Sequence, residues 1–159
     1  MSLSSKLLVE LRVNAGQTCQ SISVSEGRRV VRCDATQCDA LAVTVEVLAL
    51  ETAELAGATV AELRAASRDL ASRVNYLLEP IAPIETDAQG CSVQMRSNPP
   101  QKDDNGWRYY ELVLRRGGSA GLARYEKRPG QPRVRVPAAL THEVVGRLVD
   151  DFAITVDTI

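Results

Sequence analysis

One imidazole, His142, serves all 159 residues, so histidine-based catalysis has a single candidate. A serine or cysteine nucleophile needs such a base within hydrogen-bond reach. His142 falls in the first turn of a helix expected near the C-terminus. Its neighbours Thr141 and Glu143 are accounted for by capping and surface charge, and nothing in the sequence brings it to Cys33 or Cys91. Cysteine is scarce too. The four thiols, Cys19, Cys33, Cys38 and Cys91, are too few for a disulfide scaffold in a chain this long. Cys33 and Cys38 form one loose pair rather than the two knuckles of a structural zinc site, and Cys91 reads as a small buried apolar residue.

Long apolar runs are also missing. Arg, Asp or Glu interrupts every stretch that approaches membrane-spanning length, and Glu10 and Arg12 within Leu7–Val13 make the N-terminus a poor secretory signal. The expectation is a cytoplasmic protein with no membrane partner. Phosphate-binding glycine loops are absent: Arg116-Gly117-Gly118-Ser119 lacks the spacing and the lysine. Asp103-Asp104-Asn105-Gly106 lacks the spaced ligands and distal glutamate of a calcium loop and reads as a turn. Glu79, Glu85 and Asp87 bracket a proline-containing segment and are able to bind a cation, so paired carboxylates are the weaker exclusion. The expectation is therefore a non-enzymatic protein, with no catalytic residue, no cofactor and no metal.

What is present is an ordinary globular composition, 45% hydrophobic and 25% charged, sufficient for one domain with a real core. The pattern predicts an α+β class, with an antiparallel sheet packed by two amphipathic helices in a two-layer domain. Strands are expected near 7–13, 21–25, 28–33, 43–50, 91–96, 107–116, 119–128 and 133–136. Leu7, Val9, Leu11 and Val13 alternate with Leu8, Glu10 and Arg12 in the period of a half-buried strand, although Leu7, Leu8 and Leu11 also share a helical face. Val43–Leu50 is rich in β-branched residues, although Asp39 is placed to cap a helix over the same stretch.

The helices are predicted over 59–78 and 141–153. Thr59 and Glu62 make a capping box. Val60, Leu63, Ser67, Leu70, Val74 and Leu77 then recur at spacings of three and four, with Leu70 central in the stripe. Leu140, Val144, Val145, Leu148, Val149 and Phe152 form the second stripe. The order admits a single domain over 1–159 or two similar β-rich-then-helix units, 1–80 and 91–159.

Gly117-Gly118 between two strand-like runs signals a two-residue hairpin turn. In that register Arg116 faces Ser119, Tyr110 faces Tyr125, and Glu111 faces Arg124 as a cross-strand ion pair.

The one feature with positive functional content is charge. Eight basic residues and two acids occupy 108–135, whereas residues 1–90 carry net −4 (8 basic, 12 acidic). Trp107, Arg108, Tyr109, Arg115, Arg124, Lys127, Arg128, Arg133 and Arg135 are the candidate surface residues. Arginine and tyrosine suit a protein interface, and the asymmetry suits a protein partner or self-association into a homo-oligomer. The first expectation is thus an interaction or assembly module using this region. Nucleic-acid binding by cations interleaved with aromatics is the alternative, and a small-ligand site or unrecognised hydrolase is the third. Strand alternation sets Arg115 and Arg116 on opposite faces, which weighs against a continuous polymer track.

Overall fold

Ser2 starts the chain's first helix by accepting a hydrogen bond from the Ser5 N–H, as an N-cap residue does. Leu3, Leu7 and Leu11 follow at four-residue intervals and are buried on one face of helix α1 (Leu3–Val13). This corrects the strand expected at 7–13. Val9 and Val13, which an alternating strand would bury, are exposed, so the helical period carries the burial.

The computed structural model describes residues 1–159. After α1 come three antiparallel strands, β1 (Thr18–Glu26), β2 (Arg29–Cys38) and β3 (Ala42–Thr52), then a 3-10 turn (Ala53–Gly57) and helix α2 (Val60–Arg73). Seven further strands follow: β4 (Ile81–Asp87), β5 (Ser92–Ser97), β6 (Gln101–Asp103), β7 (Gly106–Arg115), β8 (Ser119–Lys127), β9 (Val134–Val136) and β10 (Ala138–Thr141). Helix α3 (His142–Asp157) completes the chain. The result is an α+β protein with one ten-stranded antiparallel sheet, ordered β1-β2-β3-β8-β7-β5-β4. On this path β6 is added to β7, β9 to β8 and β10 to β3.

The capping box at Thr59 and Glu62 is formed in both directions, at 3.1 and 3.2 Å. Helix α2 nevertheless stops at Arg73, short of the expected 78. Val74 leaves helical geometry with ψ of 74°. Leu78 then takes a left-handed φ of 64°, and the chain turns into β4 at Pro80. Val74 and Leu77 stay buried, so the stripe marks burial beyond the helix that it defines. Helix α3 runs longer than expected, to Asp157, because Thr155 and Val156 extend its buried face.

Strand β4 was not anticipated, since Pro80 and Pro83 discourage a central strand. It lies at the sheet's edge, where proline is tolerated, with a register irregularity between Pro83 and Glu85.

One hydrophobic cluster holds the molecule together. It joins Leu3, Leu7 and Leu11 of α1, Leu63 and Leu70 of α2, and Leu148 and Phe152 of α3 to alternate strand residues. Those strand residues include Val31, Cys33, Leu48, Leu50, Met95, Leu112, Leu114 and Leu122. Ala49 and Tyr109 are buried but stand outside this cluster, because alternation points them to the other side of the sheet. Between α2 and α3, Asp151 accepts from the Tyr76 hydroxyl at 2.6 Å and from Arg73 Nε at 3.2 Å. Asp151 thus ties α3 to the C-terminal end of α2 and the segment that follows it. No helix is long and apolar enough to cross a membrane.

All four cysteines are free, and only Cys19 is exposed. Burial pushes the Cys33 thiol up to about 12 and raises Cys38 as well, which suppresses the reactive thiolate. A thiol reagent at mildly alkaline pH is expected to modify one cysteine rapidly in the folded protein and all four after denaturation. Rapid modification of Cys33 without denaturant would contradict this burial.

Candidate binding face of the sheet

The β7–β8 hairpin positions most of the basic segment, and its register differs from expectation. Arg115 faces Ser119, Glu111 faces Ala123 and Tyr110 faces Arg124, one residue away from the two-residue-turn register. The loop therefore has three residues, Arg116, Gly117 and Gly118. Gly118 has φ of +112°, and a Cβ there would meet the Thr52 carbonyl oxygen at 2.9 Å. A glycine closing a three-residue loop is a common hairpin alternative. Arg116 is held outside the ladder, its N–H donating to the Cys91 carbonyl and its Nε to the Ala58 carbonyl. The proposed Glu111–Arg124 and Tyr110–Tyr125 cross-strand pairs are consequently not formed.

Alternation from this register distributes the candidate residues. Trp107, Tyr109, Glu111, Val113 and Arg115 share one face of β7 with Ser119, Gly121, Ala123, Tyr125 and Lys127 of β8. The opposite face carries Leu112, Leu114 and Leu122 of the hydrophobic cluster. Arg124 belongs to the opposite face and is only 8% exposed. Its Nη2 lies 3.0 Å from Glu79 Oε2 and donates to Gln101 Oε1 at 2.9 Å, and its guanidinium covers the Tyr110 ring at 4.3 Å. Arg108 and Arg128 also approach the acid of the core-side face, Glu126, both at 3.6 Å. Three of the nine candidates thus stand apart from the others.

The remaining six are joined by residues that sequence reasoning did not connect with them: Arg32 of β2, Arg96 of β5 and Ile84 of β4. At the centre is Glu111, 5% exposed. It faces Arg96 across the β5–β7 ladder and accepts from Arg96 Nε at 3.2 Å and from Arg133 Nη1 at 2.5 Å. Hydrogen bonding to Glu111 is the main cause holding the Arg133 proton more tightly than usual, against the opposing effect of burial. Arg133 Nη1 also donates to the Tyr109 hydroxyl at 3.3 Å. The guanidinium of Arg133 lies 3.9 Å from the Tyr125 ring centre, and that of Arg96 lies 5.2 Å from the centre of Tyr109. The two tyrosine rings stack with centres 6.0 Å apart. This alternation of cations and rings is favourable, and it occupies ring surface that a nucleic-acid base would need.

Two depressions lie on this face, and helices contribute no residue to either. One is a trough of about 330 Å³ whose floor includes Val47, Ala49, Val113, Gly121 and Ala123. Gly121 keeps the floor low: a Cβ there would sit 3.2 Å from the Ala49 Cβ. Four arginines, Arg32, Arg115, Arg133 and Arg135, line it against two acids, Glu51 and Glu111. Arg32 is near Asp34 at 3.5 Å and Glu51 at 3.6 Å, whereas Arg135 reaches only the Tyr125 hydroxyl, at 3.4 Å. The second depression, about 550 Å³, lies beyond Arg133 and is lined by Trp107, Tyr109, Ile84 and Pro100 with Arg96 and Lys127.

No group of three or more His, Cys, Asp and Glu side chains is arranged to hold a metal ion. No protein-family model, curated protein or solved structure matches the chain.

Proposed function

We propose that this chain is a non-enzymatic intracellular binding module that docks an acidic segment of a protein partner in the arginine-lined trough. In this reading the helices form a second layer on one side of the sheet, and the other side is the platform. The observation that carries it is the pairing of a small-residue apolar floor with four lining arginines, Arg32, Arg115, Arg133 and Arg135, which outnumber the two lining acids, Glu51 and Glu111. Arginine and tyrosine are enriched where protein interfaces draw most of their binding energy. Complementary charge would add orientation and association rate.

Nucleic-acid binding is favoured less. Tyr109 and Tyr125 are already stacked by guanidinium groups, and Arg108, Arg124 and Arg128 lie toward the opposite face, near Glu79 and Glu126. A polymer would therefore meet a short and interrupted track.

The test is fluorescence anisotropy with a labelled peptide of alternating glutamate and leucine, beside a labelled single-stranded oligonucleotide of mixed sequence. The peptide is expected to bind at low salt, and Arg115→Glu with Arg135→Glu is expected to weaken it by about tenfold or more. Tighter binding of the oligonucleotide, with a steep loss as salt rises, would overturn the protein-docking reading. So would an unbound peptide at low salt. Sedimentation across protein concentration tests self-association: a dimer dispersed by the same two substitutions would identify the acidic partner as a second copy.

A further inference from the structure

The depression beyond Arg133 differs chemically from the trough and shares only Arg133 with it. None of its nine lining residues is acidic. Just behind it, Glu111 is shared by Arg96 and Arg133, so two guanidinium charges meet one carboxylate and one positive charge remains. Lys127 adds a second, since its Nζ contacts only the carbonyl oxygens of Arg128 and Gln131. A phosphate monoester carries about −1.5 to −2 at neutral pH, which matches this excess better than a monoanion does.

The apolar side of the pocket is equally specific. Ile84, about half exposed, and Pro100 stand with Trp107 and Tyr109 around a space of about 550 Å³, within the size range of small-ligand sites. Arg96 covers Tyr109, but Trp107 carries only the Lys102 ammonium, 5.9 Å from its ring centre. Lys102 is exposed, so a base can displace its ammonium from that ring, which is enough for a single base and too little for a strand. Asn98 lines the same space, and its carboxamide presents both a donor and an acceptor to a base edge.

We propose that this pocket binds a nucleoside monophosphate. The phosphate sits among Arg96, Arg133 and Lys127, the base lies against Trp107, and Asn98 meets the base edge. Recognition is by stacking together with charge-assisted hydrogen bonds, and no bond is made or broken. The site shares Arg133 with the trough, but neither reading requires the other to be filled.

Trp107 is the chain's one tryptophan, so its fluorescence reports this pocket directly. Titration with AMP is expected to change that emission saturably, with a matching heat signal in calorimetry. Adenosine and inorganic phosphate, each carrying half of the ligand, are expected to bind about tenfold more weakly or worse. Lys127→Gln is expected to weaken AMP by about tenfold while leaving the thermal melt and the acidic-peptide affinity unchanged. Trp107→Ala, followed by calorimetry, should weaken AMP and leave inorganic phosphate unaffected. AMP binding no tighter than inorganic phosphate would reduce the pocket to a simple anion site and overturn the proposal. No AMP binding, or an oligonucleotide binding more tightly than AMP, would overturn it as well. The acidic-peptide measurement stands apart from all of these outcomes.

Discussion

Replacing Leu70 with alanine is expected to lower the unfolding free energy by about 2–5 kcal/mol. Leu70 is 1% exposed on α2 and belongs to the continuous core cluster. Its helical neighbours Ala66, Ser67 and Ala71 are also buried. These are small side chains on a capped helix, so they have little freedom to collapse into the space that the isobutyl group leaves. The loss therefore includes a cavity cost in addition to the transfer cost of the removed carbons. Leu78 supplies the control: the same residue type, eight positions on, is 98% exposed with φ of 64°. Leu78→Ala should be close to neutral, and Leu78→Gly should not destabilise the fold, because glycine adopts positive φ without a Cβ clash. Urea melts of the three variants measure this directly. A loss below about 1 kcal/mol for Leu70→Ala would show that α2 yields around the cavity.

The parts of the fold legible in the sequence are those whose signals are local. The Thr59–Glu62 capping box and the Thr141 cap of α3 lie where residue type and spacing place them. Helix α1 differs from the expected strand because its anchoring residues, Ser2 and Leu3, precede the alternating run. Without Leu3, the four-residue spacing of Leu7 and Leu11 competes evenly with period two.

The hairpin register failed for a tertiary reason. Gly117-Gly118 suits a two-residue turn, but Arg116 is drawn out of the ladder by the carbonyls of Cys91 and Ala58. Those partners are distant in sequence. One residue of slip takes Arg124 away from Glu111, and the separate β5–β7 ladder sets Arg96 opposite it, beside Arg133. The charge of 108–135 was legible. Its division between two faces was not, because that depends on the slip and on the β5–β7 pairing that brings in Arg96.

Replacing Glu111 with alanine is expected to cost about 2–3 kcal/mol and to loosen the segment that precedes β9. The carboxylate is 5% exposed and takes hydrogen bonds from two cations that enter from different strands and loops. Its removal leaves Arg96 and Arg133 facing each other without the charge that reconciles them. Breaking a fully buried ion pair costs about 3–5 kcal/mol. The side chains of Arg96 and Arg133 are 33% and 36% exposed, so both can swing partly into water and reduce that cost. Arg133 follows the turn after β8 and reaches across Tyr125 to Glu111 of β7, so the carboxylate clips this segment onto the sheet. Hydrogen exchange at 129–136 should therefore accelerate more in Glu111→Ala than exchange in β2 or β3. Arg133→Ala should cost less, since Glu111 then keeps Arg96 as its partner, and Arg115→Ala, at an exposed position, should be nearly neutral. Equal exchange in all strands, or a loss below about 1 kcal/mol for Glu111→Ala, would mean that the arginines hold the face without their shared acid.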